Sequence, residues 1–209
     1  SNEYKTYNPE LSISANKLIT EWMGVETTFD YLSQYYHTLE GIPLGWSLDM
    51  IVPSSNTLKP EQSLQYYGGV YFKFKKNRSA SIGGYYKTLK DVIYFSKATD
   101  FFGSQLSSWN SYIETGKGTS WGIELLYEKR GAKLNYKISY TYSKTDRKFD
   151  YVNLGRTFHA KYDRPHILNV TADYLFINKS HKEFGTNLLF TFQSGNMESV
   201  KSATFIGEM

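Results

Sequence analysis

Between Lys133 and Ser143 the chain alternates with a period of two: Leu134, Tyr136, Ile138, Tyr140 and Tyr142 fall on one parity, and Lys133, Asn135, Lys137, Ser139, Thr141 and Ser143 on the other. Successive side chains of a strand point to opposite faces, so this segment is a strand with one apolar and one polar face. A helix would scatter both sets around its circumference. The period recurs along the chain. Leu168, Val170, Ala172, Tyr174 and Phe176 oppose Asn169, Thr171 and Asp173, and Phe184, Leu188, Phe190 and Phe192 oppose Gly185, Asn187 and Thr191. Leu64, Tyr66, Val70, Phe72 and Phe74 share a face, Met23, Val25, Phe29 and Tyr31 share another, and Leu11, Ile13 and Ala15 a third. Less regular strands are expected over 79–95 and 119–129, the second opened by Trp121. About eight strands of roughly 8 to 15 residues result, with no amphipathic helix, which makes the chain all-β.

The connections narrow the class further. Short polar turns are expected near Asn16-Lys17, Lys75 to Arg78, Lys129 to Gly131 and Asn178 to Ser180. Long segments separate those pairs, at 34–60, 96–118 and 146–165. Loops beyond about 12 to 15 residues are uncommon in a compact domain, so three at alternate positions need a cause. Transmembrane barrels supply one, because their periplasmic turns are short and their extracellular loops long. The polar parity carries Lys133, Lys137, Asp173, Glu124 and Glu128. Burying such charges against a second sheet costs several kcal/mol each, whereas a wet lumen accepts them. The mean hydropathy of −0.49 therefore averages a lipid face, a lumen face and wet loops. The 19 tyrosines and 4 tryptophans suit interfacial belts, where a ring sits in the apolar layer and its polar atom stays wet. Tyr85 and Tyr86 in mid-strand, Tyr140 and Tyr142 at a strand's close, and Trp121 are the candidates.

Ser1 to Glu10 holds no basic stretch followed by an apolar run, so no export signal is read there. With the short turns on one side, both chain ends fall on the long-loop side. The expectation is a partial barrel over 1–209, an internal piece of a larger one with plug domain and signal peptide absent.

Several motifs resemble one family. Gly116 to Leu126 resembles the GxGxxxGxE(L/F) stretch late in the barrels of TonB-dependent receptors. Ile138 to Thr145 is similar to their SYTLSKT strand, and Tyr162 to Asn169 to their (Y/F)DRxHxLN junction. Val52 to Ser63 resembles the VPxSxxIKPExS junction, and Gly84 to Lys87 the xYYK strand. The likeness covers about Asn8 to Gly195 and is nearest to receptors that carry a carboxypeptidase-regulatory-like extension. It implies about eight antiparallel up-and-down strands out of roughly 22 in a large transmembrane β-barrel. It further implies the bacterial outer membrane, and active import of a bulky nutrient: oligosaccharide, peptide or metal chelate. The implied partners are outer-membrane lipid, the rest of the barrel and its plug, the TonB complex and a surface lipoprotein.

Two other readings of the residues remain: a complete small barrel with a structural or adhesive role, and a soluble all-β carbohydrate-binding module. The net charge of +4 without a basic cluster points away from nucleic acid. Candidate binding residues lie on the long loops: Trp46, Trp109, Tyr112, Arg156, Phe158 and His159. Their aromatic faces suit stacking, and Arg156 suits a carboxylate. Packing between loops is the competing role for each. His159, Asp163 and His166 have metal-ligand chemistry, but their spacing does not place all three on one side, and Asp163 is expected to pair with Arg164 as a rim ion pair. No metal, cofactor or enzyme is expected: there is no Cys, and Glu124 and Glu128 stand about 13 Å apart along a strand, beyond the carboxylate separations used in glycoside hydrolysis.

Overall fold

In the computed structural model, residues 5–39, 50–95, 113–179 and 182–195 are described. Among the described residues eleven strands form: β1 (Leu11–Leu18), β2 (Met23–Gln34), β3 (Tyr36–Leu39), β4 (Met50–Pro53), β5 (Glu61–Phe74), β6 (Arg78–Phe95), β7 (Ile113–Lys129), β8 (Leu134–Lys148), β9 (Phe158–His159), β10 (His166–Lys179) and β11 (Lys182–Gln193). The main sheet runs β1-β2-β5-β6-β7-β8-β10-β11, with β9 beside β8, and β3 and β4 make a separate hairpin. Every pairing is antiparallel. This is an up-and-down sheet that forms part of a β-barrel. It does not close on itself, since β1 pairs with β2 and β11 with β10 at its two ends.

Register turns the period-two pattern into continuous faces. Phe29 stands opposite Tyr66, Tyr66 opposite Tyr86, Tyr86 opposite Trp121, and Trp121 opposite Lys144. Rings along this face meet their neighbours, with centroids 5.2 Å apart for Phe29 and Tyr66 and 5.6 Å for Trp121 and Tyr142. The other face carries Glu26, Asp30, Glu124, Lys137 and Asp173, and the Asn187 amide donates to Asp173 there.

Three boundaries differ from expectation. Asn16 and Lys17 are not a turn: they pair with Glu26 and Val25, and the chain reverses over 19–22. There the Thr20 hydroxyl accepts the Met23 N–H at 3.0 Å, a side-chain turn that dipeptide signals do not reveal. β7 opens at Ile113 rather than near Thr119, because Gly116 and Gly118 interrupt the apolar pattern without breaking the ladder. Trp121 therefore lies in mid-strand, and β8 runs on to Lys148 instead of closing near Ser143, so Tyr140 and Tyr142 lie in mid-strand too.

The core does not lie between sheets. Among the described residues the buried apolar side chains are Val52, Leu58, Leu89, Val92, Ile93, Phe149 and Ala160, all at the long-loop end. A bulge assembles part of this core. Asp91 takes a left-handed backbone (φ 57°), and the register shifts between Lys90 and Val92. Aspartate tolerates that conformation. The extra residue brings Val92 to the same side as Leu89, where both pack with Phe149.

Candidate functional site

The long-loop rim carries three connected structures. The first is an aromatic cluster on the polar side of the sheet. Phe149, 2% exposed, packs with Leu89 and Val92 and is flanked by Tyr94, Val152 and Phe158. Ring centroids are 5.3 Å apart for Tyr94 and Phe149, 6.0 Å for Phe149 and Phe158, and 6.2 Å for Tyr94 and Phe158.

The second is a carboxylate network. Asp163 is buried, accepts the Thr145 N–H at 3.1 Å and lies 3.3 Å from His159 Nδ1. His159 Nδ1 also stands 3.4 Å from Asp146, which pairs with Lys144 at 3.1 Å. Burial of a carboxylate is tolerated when hydrogen bonds satisfy it, and here a backbone donor and an imidazole do so. This corrects the expected Asp163–Arg164 pair: Arg164 instead reaches Gln193 of β11.

The third is the β3–β4 hairpin. Its His37 is 1% exposed, with Nε2 3.2 Å from the Ser54 hydroxyl. Burial pushes the His37 imidazole below its ordinary value, opposed by a backbone hydrogen bond at Lys59 and the nearby charge of Asp91. Val52 and Leu58 pack onto Ile93 and Ile113, which ties the hairpin to the β6–β7 tip.

The sequence-predicted binding residues divide as follows. Trp46, Trp109 and Tyr112 lie outside the described residues. Arg156 is exposed and leaves a short 3-10 turn at Asn153–Gly155. Phe158 is half-buried in the aromatic cluster, beside Arg147, whereas His159 stands opposite Asp146. Neighbours in a strand face opposite ways, so Phe158 and His159 do not converge on one surface. His166 is likewise separate from His159: its Nδ1 lies 2.8 Å from the Tyr140 hydroxyl, and its ring lies tilted against Tyr142, with centroids 5.1 Å apart. Among the described residues no group of three or more His, Asp or Glu is arranged to hold a metal.

Sequence reasoning overlooked a band of tyrosines on the polar face. A methyl group at Gly83 would stand 2.3 Å from the Tyr67 hydroxyl, one at Gly24 2.2 Å from the Tyr71 ring, and one at Gly122 2.7 Å from the Tyr85 ring. These rings therefore lie flat across glycines of neighbouring strands. The Tyr67 hydroxyl donates to Glu26 at 3.1 Å. Tyr85 belongs here and not to an interfacial belt, while Tyr86 stands on the apolar face, half exposed. The signal was available as Tyr and Gly on the same parity of adjacent strands, but it required the register.

With this geometry in place, the family model described as "TonB dependent receptor-like, beta-barrel" matches residues 19–205. The chain belongs to that family of outer-membrane receptors and transporters. No curated protein and no solved structure matches the chain.

Proposed function

We propose that this member of the TonB-dependent receptor-like β-barrel family serves the import of a bulky nutrient (oligosaccharide, peptide or metal chelate) across the bacterial outer membrane, driven by the TonB complex. One observation carries the reading: all three long connections leave the same end of an alternating, lipid-compatible sheet, and among the described residues every buried apolar cluster lies there. A rim packed in this way holds outer loops against a wall whose polar face lines a lumen. β1 and β11 are exposed along their whole lengths, which suits pairing with further barrel strands. On this reading the chain is a segment of a larger barrel, and a plug occupies the lumen beside it. The loop aromatics Trp46, Trp109 and Tyr112 stack on the substrate, with Arg156, Phe158 and His159 at the vestibule edge. No step of the proposal involves enzyme chemistry, and a surface lipoprotein is a fitting partner for the outer loops.

The test is accumulation of three labelled probes in cells producing the protein: a maltooligosaccharide, an oligopeptide and a ferric chelate. One probe class is expected to accumulate, to stop on deletion of the TonB energy-coupling partner, and to fall about tenfold or more with Trp109→Ala. Equal accumulation with and without the coupling partner would overturn the proposal.

A further inference from the structure

One cation on the polar face takes no part in the rim networks described above. Arg147 of β8 stands opposite Gly118 of β7, and Gly118 opposite Leu89 of β6. A methyl group at Gly118 would lie 2.9 Å from Arg147 Nη1 and 3.2 Å from its Cδ. The bare glycine is therefore the bed on which the Arg147 side chain rests. Arg147 Nε and Nη1 are enclosed and have no hydrogen-bond partner among the described residues. Leaving enclosed donors unmade is costly, and more so on a charged group.

Arg147 lines a cavity of about 180 Å³ at the long-loop end, together with Gln34, Thr38, Glu61, Val92 and Ile93. The ladder sets Gln34 opposite Glu61, and the Gln34 amide donates to the Tyr36 carbonyl at 2.7 Å. Val92 and Ile93 are packed within the protein, so the surface offered to a ligand is polar. Drug-sized ligands take roughly 300–1,000 Å³, so this cavity holds one sugar-sized unit of a longer molecule. Its chemistry selects the unit. A guanidinium fork matches a carboxylate through two parallel N–H···O bonds. Beside it an ionised Glu61 only accepts, whereas Thr38 and Gln34 both donate and accept. A uronate ring brings one carboxylate and several hydroxyls, and a hydroxyl serves either role. A neutral sugar leaves the cation unmatched. A peptide terminus brings the carboxylate, but its side chain meets no open apolar wall.

We propose that this cavity is a subsite for a uronate unit of an acidic oligosaccharide, with the ring carboxylate on Arg147 and ring hydroxyls on Glu61, Thr38 and Gln34. Arg147 is then the residue that selects a charged sugar over a neutral one. The subsite rests on the nutrient-import reading above and narrows its substrate.

The protein as the cell makes it is purified in detergent and titrated with oligogalacturonate and oligomannuronate. The same oligomers with their carboxyl groups reduced to alcohols, a free-acid oligopeptide and ferric citrate are titrated alongside. At least one uronate oligomer is expected to bind roughly 30-fold more tightly than its reduced form, about the gain from hydrogen bonds to a charged group. Arg147→Gln is expected to remove that gain and to leave binding of the reduced form unchanged. Gly118→Ala, which keeps the charge and fills the bed beneath it, is expected to fall between the two. Heat-modifiable gel mobility checks that each variant is folded. Failure of wild type to bind either uronate oligomer overturns the proposal, as does equal binding of the reduced forms or unchanged binding by folded Arg147→Gln. A peptide or ferric citrate that binds as tightly and loses as much in Arg147→Gln moves the carboxylate to another carrier and overturns the sugar. The coupling partner takes no part in these titrations. Their failure therefore leaves coupled import standing, and uronate binding without coupled accumulation counts against the import reading alone.

Discussion

The middle of the sheet and its long-loop rim are made from the same strands, yet different forces hold them. In the middle, Ile123, Leu125 and Ile138 are 46%, 42% and 38% exposed, so the protein itself supplies little burial there. Lipid must complete that region, and the hydrogen-bonded ladder satisfies the backbone. At the rim, Phe149, Val92, Ile93 and His37 are all nearly inaccessible, and packing within the chain does the work. The wall is therefore sensitive to what a side chain shows the membrane, while the rim is sensitive to volume and polar satisfaction.

The largest expected effect tests the rim. Phe149→Ala removes the centre of the aromatic cluster and is expected to cost roughly 3–5 kcal/mol, the usual range for a buried phenylalanine. Hydrogen exchange should show it as lost protection over 89–94 and 149–158, with the lower halves of β7 and β8 unaffected. Equal loss along the whole strands would erase the distinction between the two regions.

The next tests the wall. Leu125→Arg on the lipid face is expected to cost about 2–4 kcal/mol, the penalty for a cation near the bilayer midplane, while Glu124→Arg on the lumen face costs much less. Urea titration of the refolded protein in lipid vesicles measures both, and similar values for the two would contradict the facial assignment.

Much of this contrast is legible in the sequence, and the reason is physical. A face repeated every second residue is a local property, so the eight long strands and the alternation of short and long connections could be read directly. Features that depend on which strand lies beside which could not. The Tyr67–Gly83 contact joins two strands, the Asp163–His159 pair depends on how a loop returns to β8, and the β3–β4 hairpin lies inside a segment that reads as one long loop. Of the expected binding residues, Phe158 shows the difficulty best. Its chemistry suits stacking on a ligand, and in the folded chain its ring faces Phe149 and Tyr94.

Smaller effects sharpen the comparison. Tyr67→Phe deletes the hydroxyl that donates to Glu26 on the lumen wall, a loss expected to cost about 1 kcal/mol. A change at the rim instead would mean that the tyrosine band and the loops are coupled. The smallest effect is set by pH. Burial holds the His37 pKa below its ordinary 6.5, so the unfolded hairpin takes up a proton more readily than the packed one. Its contribution is fully present above about pH 6.5 and is lost as pH falls from there through the lower folded value. Proteolysis of the hairpin at pH 7.5 and 5.5 should be faster at the lower pH, and His37→Gln should abolish the difference.

The central claim is that one parity of each strand meets lipid and the other meets water. The chain has no cysteine, so single cysteines can be placed along β7 at 121 to 128 and spin-labelled in the membrane-inserted protein. Accessibility to oxygen, which partitions into lipid, should peak at 121, 123, 125 and 127, and accessibility to a water-soluble nickel chelate at 122, 124, 126 and 128. Accessibility that favours the nickel chelate at both parities would contradict the account.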